Sequence, residues 1–127
     1  MSMTGVHRAL YAFWSQFAPA YLSGHVPDDA SYPYITFSVE STQPIGYTFL
    51  VAQDWHKAES GVNINAERAE MMDKIAEAIP PDGVKLTAGD GCIVLSRTDG
   101  FQSYYDDPQD PAVIGGRTQY RVQYYTM

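Results

Sequence analysis

Two strand-like segments followed by one amphipathic helix span residues 33–79 and constrain the fold more than any other feature of this sequence. In the first segment, 34–40, apolar residues alternate with polar ones, which is typical of a strand with one buried face. The second segment, 47–55, contains four consecutive apolar residues and indicates a strand covered on both faces, with a short buried helix as the alternative that periodicity leaves open. The connection over 41–46 is rich in turn-forming residues, so we predict an antiparallel hairpin with the helix packed across it.

The helix in this stretch, 66–79, has its own start and stop signals. Asn65 stands where an N-cap is expected, and the proline pair that begins at Pro80 ends the helix. Apolar residues at spacings of three and four predict a second amphipathic helix over 4–18. Both patterns indicate helices that bury one side against a sheet.

The rest of the chain supplies further strands. A second hairpin is predicted from strands at 84–87 and 92–97, joined by an Asp-Gly turn at 90–91. A closing strand is predicted over 118–125, where the residues alternate again. Glycine, proline and aspartate make 23–32 a loop.

These elements predict a single α+β domain over residues 1–127, in which a mostly antiparallel sheet of four to five strands packs with two main helices. The segment 98–116 is expected to be long and irregular, because it contains Asp-Gly, Asp-Pro and Gly-Gly pairs. It is too rich in aromatic and aliphatic residues for a disordered linker, so we expect it to become ordered against a neighbouring subunit or partner. Its candidate interface residues are Phe101, Tyr104, Tyr105, Asp106 and Asp107.

A formal net charge of −7 limits the partners that this chain is expected to bind. Its eight Lys and Arg residues are scattered along the sequence, whereas a protein that grips phosphate backbones needs clustered cations. No specific nucleic-acid binding is therefore expected. No apolar run approaches the roughly 20 residues of a membrane span, so no membrane association is expected either. The single cysteine, Cys92, lies in an apolar run and is expected to be a buried, unreactive thiol in a reducing cytoplasm.

Local catalytic signatures are lacking, so we expect neither an enzyme nor a bound cofactor or metal. The histidines show no metal-ligand spacing, and the sequence contains no nucleophile elbow and no phosphate loop. Asp54 and His56 share a face of a strand and form a candidate acid–base pair, although two edge residues in solvent are the preferred interpretation. The acidic residues of the second predicted helix are interpreted as a solvated face; they are Glu67, Glu70, Asp73 and Glu77.

The order of these elements resembles that of the tail-terminator, or tail-completion, proteins of long-tailed phages and prophages, over nearly the whole chain. The residues that carry the resemblance are the Tyr-Pro-Tyr-Ile run at 32–35, the strand that runs into Trp55, and the aromatic and acidic block at 101–107. The resemblance implies a small structural subunit without a cofactor. It also implies a homo-oligomeric ring, usually a hexamer, at the head-proximal end of the tail tube.

Such a ring would end tail polymerisation and join the tail to the head, so the implied partners are the tail-tube protein and the head connector proteins. The implied location is the virion tail, after assembly in the bacterial cytoplasm. Two alternatives stay open. One is another head–tail connector or neck protein, and the other is a small ligand-binding or enzymatic α+β domain with a deep pocket and convergent polar groups.

Overall fold

A computed structural model describes residues 3–40, 47–59, 61–89 and 91–126 of the chain. The elements in chain order are α1 (Met3–Ser15), β1 (Ala20–Leu22), β2 (Tyr34–Phe37), β3 (Tyr47–Lys57), α2 (Ile64–Ala78), β4 (Val84–Ala88), β5 (Gly91–Asp106) and β6 (Val113–Thr126). The six strands form one sheet in the order β1-β2-β3-β6-β5-β4. Within the described ranges, no helix combines the length and the apolar character needed to cross a membrane.

Both helices pack on the same side of the sheet, which we call the helix face. Helix α1 places Leu10 and Trp14 in the core at a spacing of four residues, where both side chains are fully buried. The indole N–H of Trp14 donates a hydrogen bond of 3.2 Å to the hydroxyl of Tyr120, a buried residue of β6. Burial raises the pKa of that hydroxyl, against the bond from Trp14, so it stays protonated at neutral pH. The core therefore combines apolar packing with one satisfied polar contact.

Helix α2 is capped at both ends by side chains. The Asn63 side chain accepts a hydrogen bond of 3.1 Å from the backbone N–H of Ala66 at the N-terminus. At the C-terminus, Arg97 of β5 donates to the backbone oxygens of Ile79 at 2.6 Å and Ala76 at 2.8 Å. No residue of the last turn is basic. Arg97 thus brings from the sheet the positive charge that stabilises this end of the helix.

The predicted sheet of four to five mostly antiparallel strands is wrong, because the sheet has six strands and the pair β1–β2 is parallel. The missed strand is β1, and its three residues are too few to show a period. A backbone bond of 2.9 Å from Ile35 N–H to Pro19 O helps to hold it beside β2. The two predicted helices are confirmed, although the N-cap of α2 is Asn63 rather than Asn65.

Both predicted hairpins are confirmed, since β2 pairs antiparallel with β3, and β4 pairs antiparallel with β5. The predicted turns fall on residues 41–46 and on Asp90, which lie outside the described residues. The closing strand is also confirmed and begins earlier than predicted, at Val113.

The irregular segment predicted over 98–116 is wrong for most of its length. Strand β5 continues to Asp106 and β6 begins at Val113, so only residues 107–112 connect the two strands. These connecting residues contain both prolines of the segment. The segment is regular within the single chain, so its order does not require a partner.

The Asp-Gly pair in this segment lies in a β-bulge and does not end the strand. The pairing of β5 with β6 shifts register between Arg97 and Gln102. Gly100 lies within the bulge and takes a φ of +68°, which favours glycine. A bulge keeps the strand continuous while it changes which side chains face the helices.

The Gly-Gly pair of the same segment lies inside β6, where there is no room for a side chain. A Cβ atom on Gly116 would overlap the sulfur of Met72 and lie 2.6 Å from Oδ1 of Asp54. A Cβ atom on Gly115 would overlap the backbone oxygen of Asp54 and lie 3.2 Å from the ring of Tyr105. The pair is therefore a packing requirement of the sheet.

Substituting Gly116→Ala is expected to destabilise the protein by about 1–3 kcal/mol, because the added methyl group overpacks the contact between β6 and α2. Urea denaturation monitored by tryptophan fluorescence measures the change. Gln123→Ala is the matched control, since this side chain of β6 points away from the helices, and it is expected to change stability by less than about 0.5 kcal/mol. Equal stability of the two variants would contradict the packing argument.

Candidate functional site

The side of the sheet opposite the helices is covered by neither helix, and we call it the open face. Side chains alternate along a strand, so every second residue of β3 and β6 points to this face. Two large apolar side chains on it are exposed to solvent, Phe49 at 61% and Tyr125 at 45%.

The open face is cationic, although the chain as a whole is acidic. Four of the eight Lys and Arg residues occupy it, and the strand register places them there: they are Lys57, Lys85, Arg117 and Arg121. In the described strands, no Asp or Glu occupies a position on this face. Many of the acidic residues lie elsewhere, among them the exposed Glu70, Asp73 and Glu77 of α2.

One end of the open face carries five half-buried aromatic side chains, which we call the aromatic cluster: Tyr21, Tyr32, Tyr34, Trp55 and Tyr105. Trp55 lies at its centre, with its ring stacked on Tyr34 at 6.4 Å between centroids and met edge-on by Tyr105 at 5.1 Å. Its indole N–H donates a bond of 3.0 Å to the hydroxyl of Thr36. The ammonium group of Lys57 lies 5.8 Å from the ring centroid of Tyr32.

Two hydroxyl groups of this cluster, those of Tyr34 and Tyr105, have a raised pKa and remain protonated at neutral pH. Burial is the main cause that raises the pKa of Tyr34 to about 12, with further contributions from Tyr32, Tyr105 and Asp107. Burial, followed by the charge of Asp107, also raises the pKa of Tyr105. Protonated phenols both donate and accept hydrogen bonds, so the cluster combines apolar area with polar groups.

Two of the predicted interface residues, Tyr104 and Asp106, lie on the helix face around the buried Arg68. The guanidinium of Arg68 lies 4.0 Å from the ring centroid of Tyr104, and its Nη1 lies 3.3 Å from Oδ1 of Asp106. The same nitrogen donates to the backbone oxygens of Tyr105 at 3.4 Å and Gly115 at 3.3 Å. No local pattern predicts that this arginine of α2 binds the end of β5, because the contact joins distant parts of the chain.

The other three predicted interface residues lie at different places along β5 and the turn after it. Tyr105 belongs to the aromatic cluster on the open face. The ring of Phe101 lies in the bulge beneath the guanidinium of Arg97, at 4.6 Å. Asp107 begins the turn after β5 and accepts a bond of 2.9 Å from the backbone N–H of Gln109. The five residues therefore do not form one surface.

A chain of three ionisable side chains links β3 to α2 on the helix face. His56 places Nε2 at 2.6 Å from Oδ2 of Asp54 and Nδ1 at 2.6 Å from Oε1 of Glu67. The prediction that Asp54 and His56 share a face is confirmed. The prediction that they lie in solvent is wrong, because α2 covers this part of β3 and leaves His56 0% exposed and Asp54 2% exposed. Glu67 is likewise a partner of His56, and not part of a purely solvated face.

His56 lies between the two carboxylates, Asp54 on one side and Glu67 on the other. Burial is the largest single influence and lowers its pKa, but the hydrogen bonds and charges of Asp54 and Glu67 outweigh burial, so the pKa is raised above 6.5. When it is protonated, the ring donates from both nitrogens and holds a strand and a helix together. Since the ring has no exposed surface, a substrate does not reach it in this conformation, and its role here is to position α2.

Within the described ranges, no group of three or more His, Cys, Asp or Glu side chains is arranged to hold a metal ion, and Cys92 is buried. Comparison of the chain with known protein families, with curated proteins and with solved structures finds no match. The geometry that bears on function is therefore the open face, with its aromatic cluster and its four cations.

Stability is expected to fall as pH rises through the raised pKa of His56, because the folded state binds this proton more tightly than the unfolded chain. The contribution is complete below the unfolded value of about 6.5 and is lost above the folded value. Urea denaturation between about pH 5.5 and 9 measures this decline.

The matched variant is His56→Gln, which retains His7 and His25 and so isolates the buried group. At the lower pH it is expected to be about 3–5 kcal/mol less stable, because it leaves the buried carboxylate of Asp54 and the half-buried one of Glu67 without their shared partner. The difference between the two proteins should shrink as pH rises. A constant difference across the range would show that His56 does not carry the proton.

Proposed function

We propose that this chain is a structural subunit of a phage tail, which forms a homo-oligomeric ring at the head-proximal end of the tail tube. In this role it ends tail polymerisation and joins the tail to the head. Two observations support the proposal: the resemblance to tail-terminator proteins that the sequence suggests, and the open face. The open face is the stronger argument, because its composition suits contact with a neighbouring subunit.

The composition of the open face fits a protein contact. Tyrosine, tryptophan and arginine are the residues most enriched at the centres of interfaces, and this face contains all three. Trp55 and Tyr34 are held by ring stacking and by the bond to Thr36, so little conformational freedom remains to be lost on binding. The exposed ring of Phe49 would gain roughly 1.5–3 kcal/mol from full burial.

The distribution of charge favours contacts between unlike surfaces. Two open faces brought together would place Arg117 and Arg121 against the same cations of a second copy, which is repulsive. An open face brought against the acidic surface of a neighbour is electrostatically complementary. Such head-to-tail contacts between identical subunits close into rings when the rotation between neighbours allows it.

Arg117→Glu is expected to weaken assembly at least about tenfold, because it reverses an exposed charge at the centre of the open face. Mass measured at several protein concentrations, with and without the tail-tube protein, reports ring formation. Arg8→Glu is the matched control, since Arg8 is equally a surface arginine but lies on α1. This control is expected to assemble like the parent protein.

The same pair of variants tests the role in the virus. A phage that lacks this gene and is complemented with Arg117→Glu should produce tails of abnormal length or unjoined heads, whereas Arg8→Glu should restore infectious particles. Normal particles with Arg117→Glu would contradict the proposed contact. Binding of single-stranded DNA that Arg117→Glu abolishes, without ring formation by any variant, would assign the open face to nucleic acid instead.

A further inference from the structure

Beyond its bulge, strand β5 has an edge without a strand partner in the described part of the chain. Strand β4 pairs with β5 only from Gly91 to Leu95, whereas β5 continues to Asp106. Over residues 102–106, its pairing is with β6 alone. We call this stretch the free edge. An edge of this kind is a template on which another strand can pair.

The register identifies the backbone groups that point out of the free edge. Asp107 N–H donates to Val113 O at 3.1 Å, which makes these two residues a hydrogen-bonded pair. Hydrogen-bonded and non-hydrogen-bonded pairs alternate along antiparallel strands. Gln102, Tyr104 and Asp106 therefore form the non-hydrogen-bonded pairs with β6, and their N–H and C=O groups point away from it.

A groove runs between the free edge and helix α2. Its first part has a volume of about 360 Å³, with Ala69, Met72 and Asp73 on the helix side and residues 102–104 on the strand side. A second part of about 400 Å³ continues along α2 and shares Asp73. The side-chain amide of Gln102 donates to Met72 O at 2.9 Å and joins the two walls. A strand added about 4.8 Å from β5 would lie along this groove and place alternate side chains under α2.

The charge of the groove defines the partner that it suits. Asp73 lines both parts, Glu77 lines the second, and the side chain of Asp106 is 76% exposed beside the first. Two arginines beside the groove are already bound, since Arg68 contacts Asp106 and Arg97 donates to the last carbonyls of α2, and the exposed Lys74 of α2 is outnumbered by the three acids. The available charge is therefore negative and complements lysine or arginine side chains.

We propose that the free edge accepts an extended segment of a partner protein as an additional strand of the sheet, with lysine or arginine at the alternate positions that face α2. Backbone hydrogen bonds to Gln102, Tyr104 and Asp106 provide the pairing, and Asp73 and Glu77 select the cationic side chains. A lone subunit presents this edge, so the inference does not depend on the proposed ring.

Fluorescence anisotropy with a labelled peptide of about ten residues, in which lysine and valine alternate, tests the edge on the full chain. Binding is expected, and methylation of every second peptide amide should weaken it at least about tenfold, because methylation removes the backbone donors and keeps the charge. A peptide with glutamate in place of lysine is expected not to bind.

Two variants at one position separate strand pairing from side-chain contacts. Tyr104→Pro removes the outward N–H and Tyr104→Ala keeps it, while both remove the ring that lies over Arg68. We expect the proline variant to bind the lysine–valine peptide at least about tenfold more weakly than the alanine variant. Circular dichroism and thermal unfolding check that both variants are folded.

Several outcomes overturn the proposal. One is equal affinity for the methylated and unmethylated peptides, and another is no binding of the unmethylated peptide at about 1 mM. A third is self-association of the chain that Tyr104→Pro abolishes, since the occupant of the edge would then be a second copy. Should Tyr104→Pro fail to fold, the comparison of the two peptides on the unmodified chain decides the question.

Discussion

The bridge that His56 forms between Asp54 and Glu67 fixes how helix α2 lies on the sheet, and much of the rest of the structure depends on that placement. Three buried or half-buried ionisable groups gain little net free energy, because the cost of removing charges from water offsets most of their attraction. Their effect is positional. The bonds of 2.6 Å on both sides of the ring admit one arrangement of strand and helix. This placement also explains why residue 116 is a glycine, because Asp54 and Met72 fill the space that a side chain would occupy.

Because both helices pack on one face of the sheet, the other face has no covering layer from α1 or α2. A six-stranded sheet has two sides, and the core consumes only one of them. On the other side the chain places ring systems, amides and four cations, which tolerate water and also suit a neighbour. The molecule is thereby divided into an acidic helical side and a cationic sheet side. The sign of each surface then restricts the partners it can accept.

The elements that depend on local patterns were predictable from sequence, and those that depend on distant contacts were not. Alternation and helical spacing located both helices and the strands of both hairpins, because these periods are set by the backbone itself. The sequence predicts an irregular segment over residues 98–116 because the glycines there resemble chain breaks. In the fold, Gly116 is required by Met72, a residue of another element. No local rule contains that information.

The candidate site shows the same limit. Of the five residues proposed as an interface, Tyr105 alone lies in the aromatic cluster, because the other rings come from β1, β2, β3 and the loop before β2. The cations of the open face are scattered along the sequence, since Lys57, Lys85 and Arg117 are far apart in it. Strand register brings them to one surface. Period-two alternation within β3 and β6 shows which residues of each strand share a face. Only the order of the strands in the sheet shows that these residues form one surface.

The open face and the free edge of β5 are two different surfaces, since one is a face of the sheet and the other is the edge of a strand. One is cationic and broad, and the other is acidic and narrow, which means that the two surfaces select partners of opposite charge. A subunit with a single kind of contact surface can form only one kind of interface. A component that joins identical copies to a different protein needs two unlike surfaces. The separation of charge between the sheet and α2 gives this small chain both surfaces without a second domain.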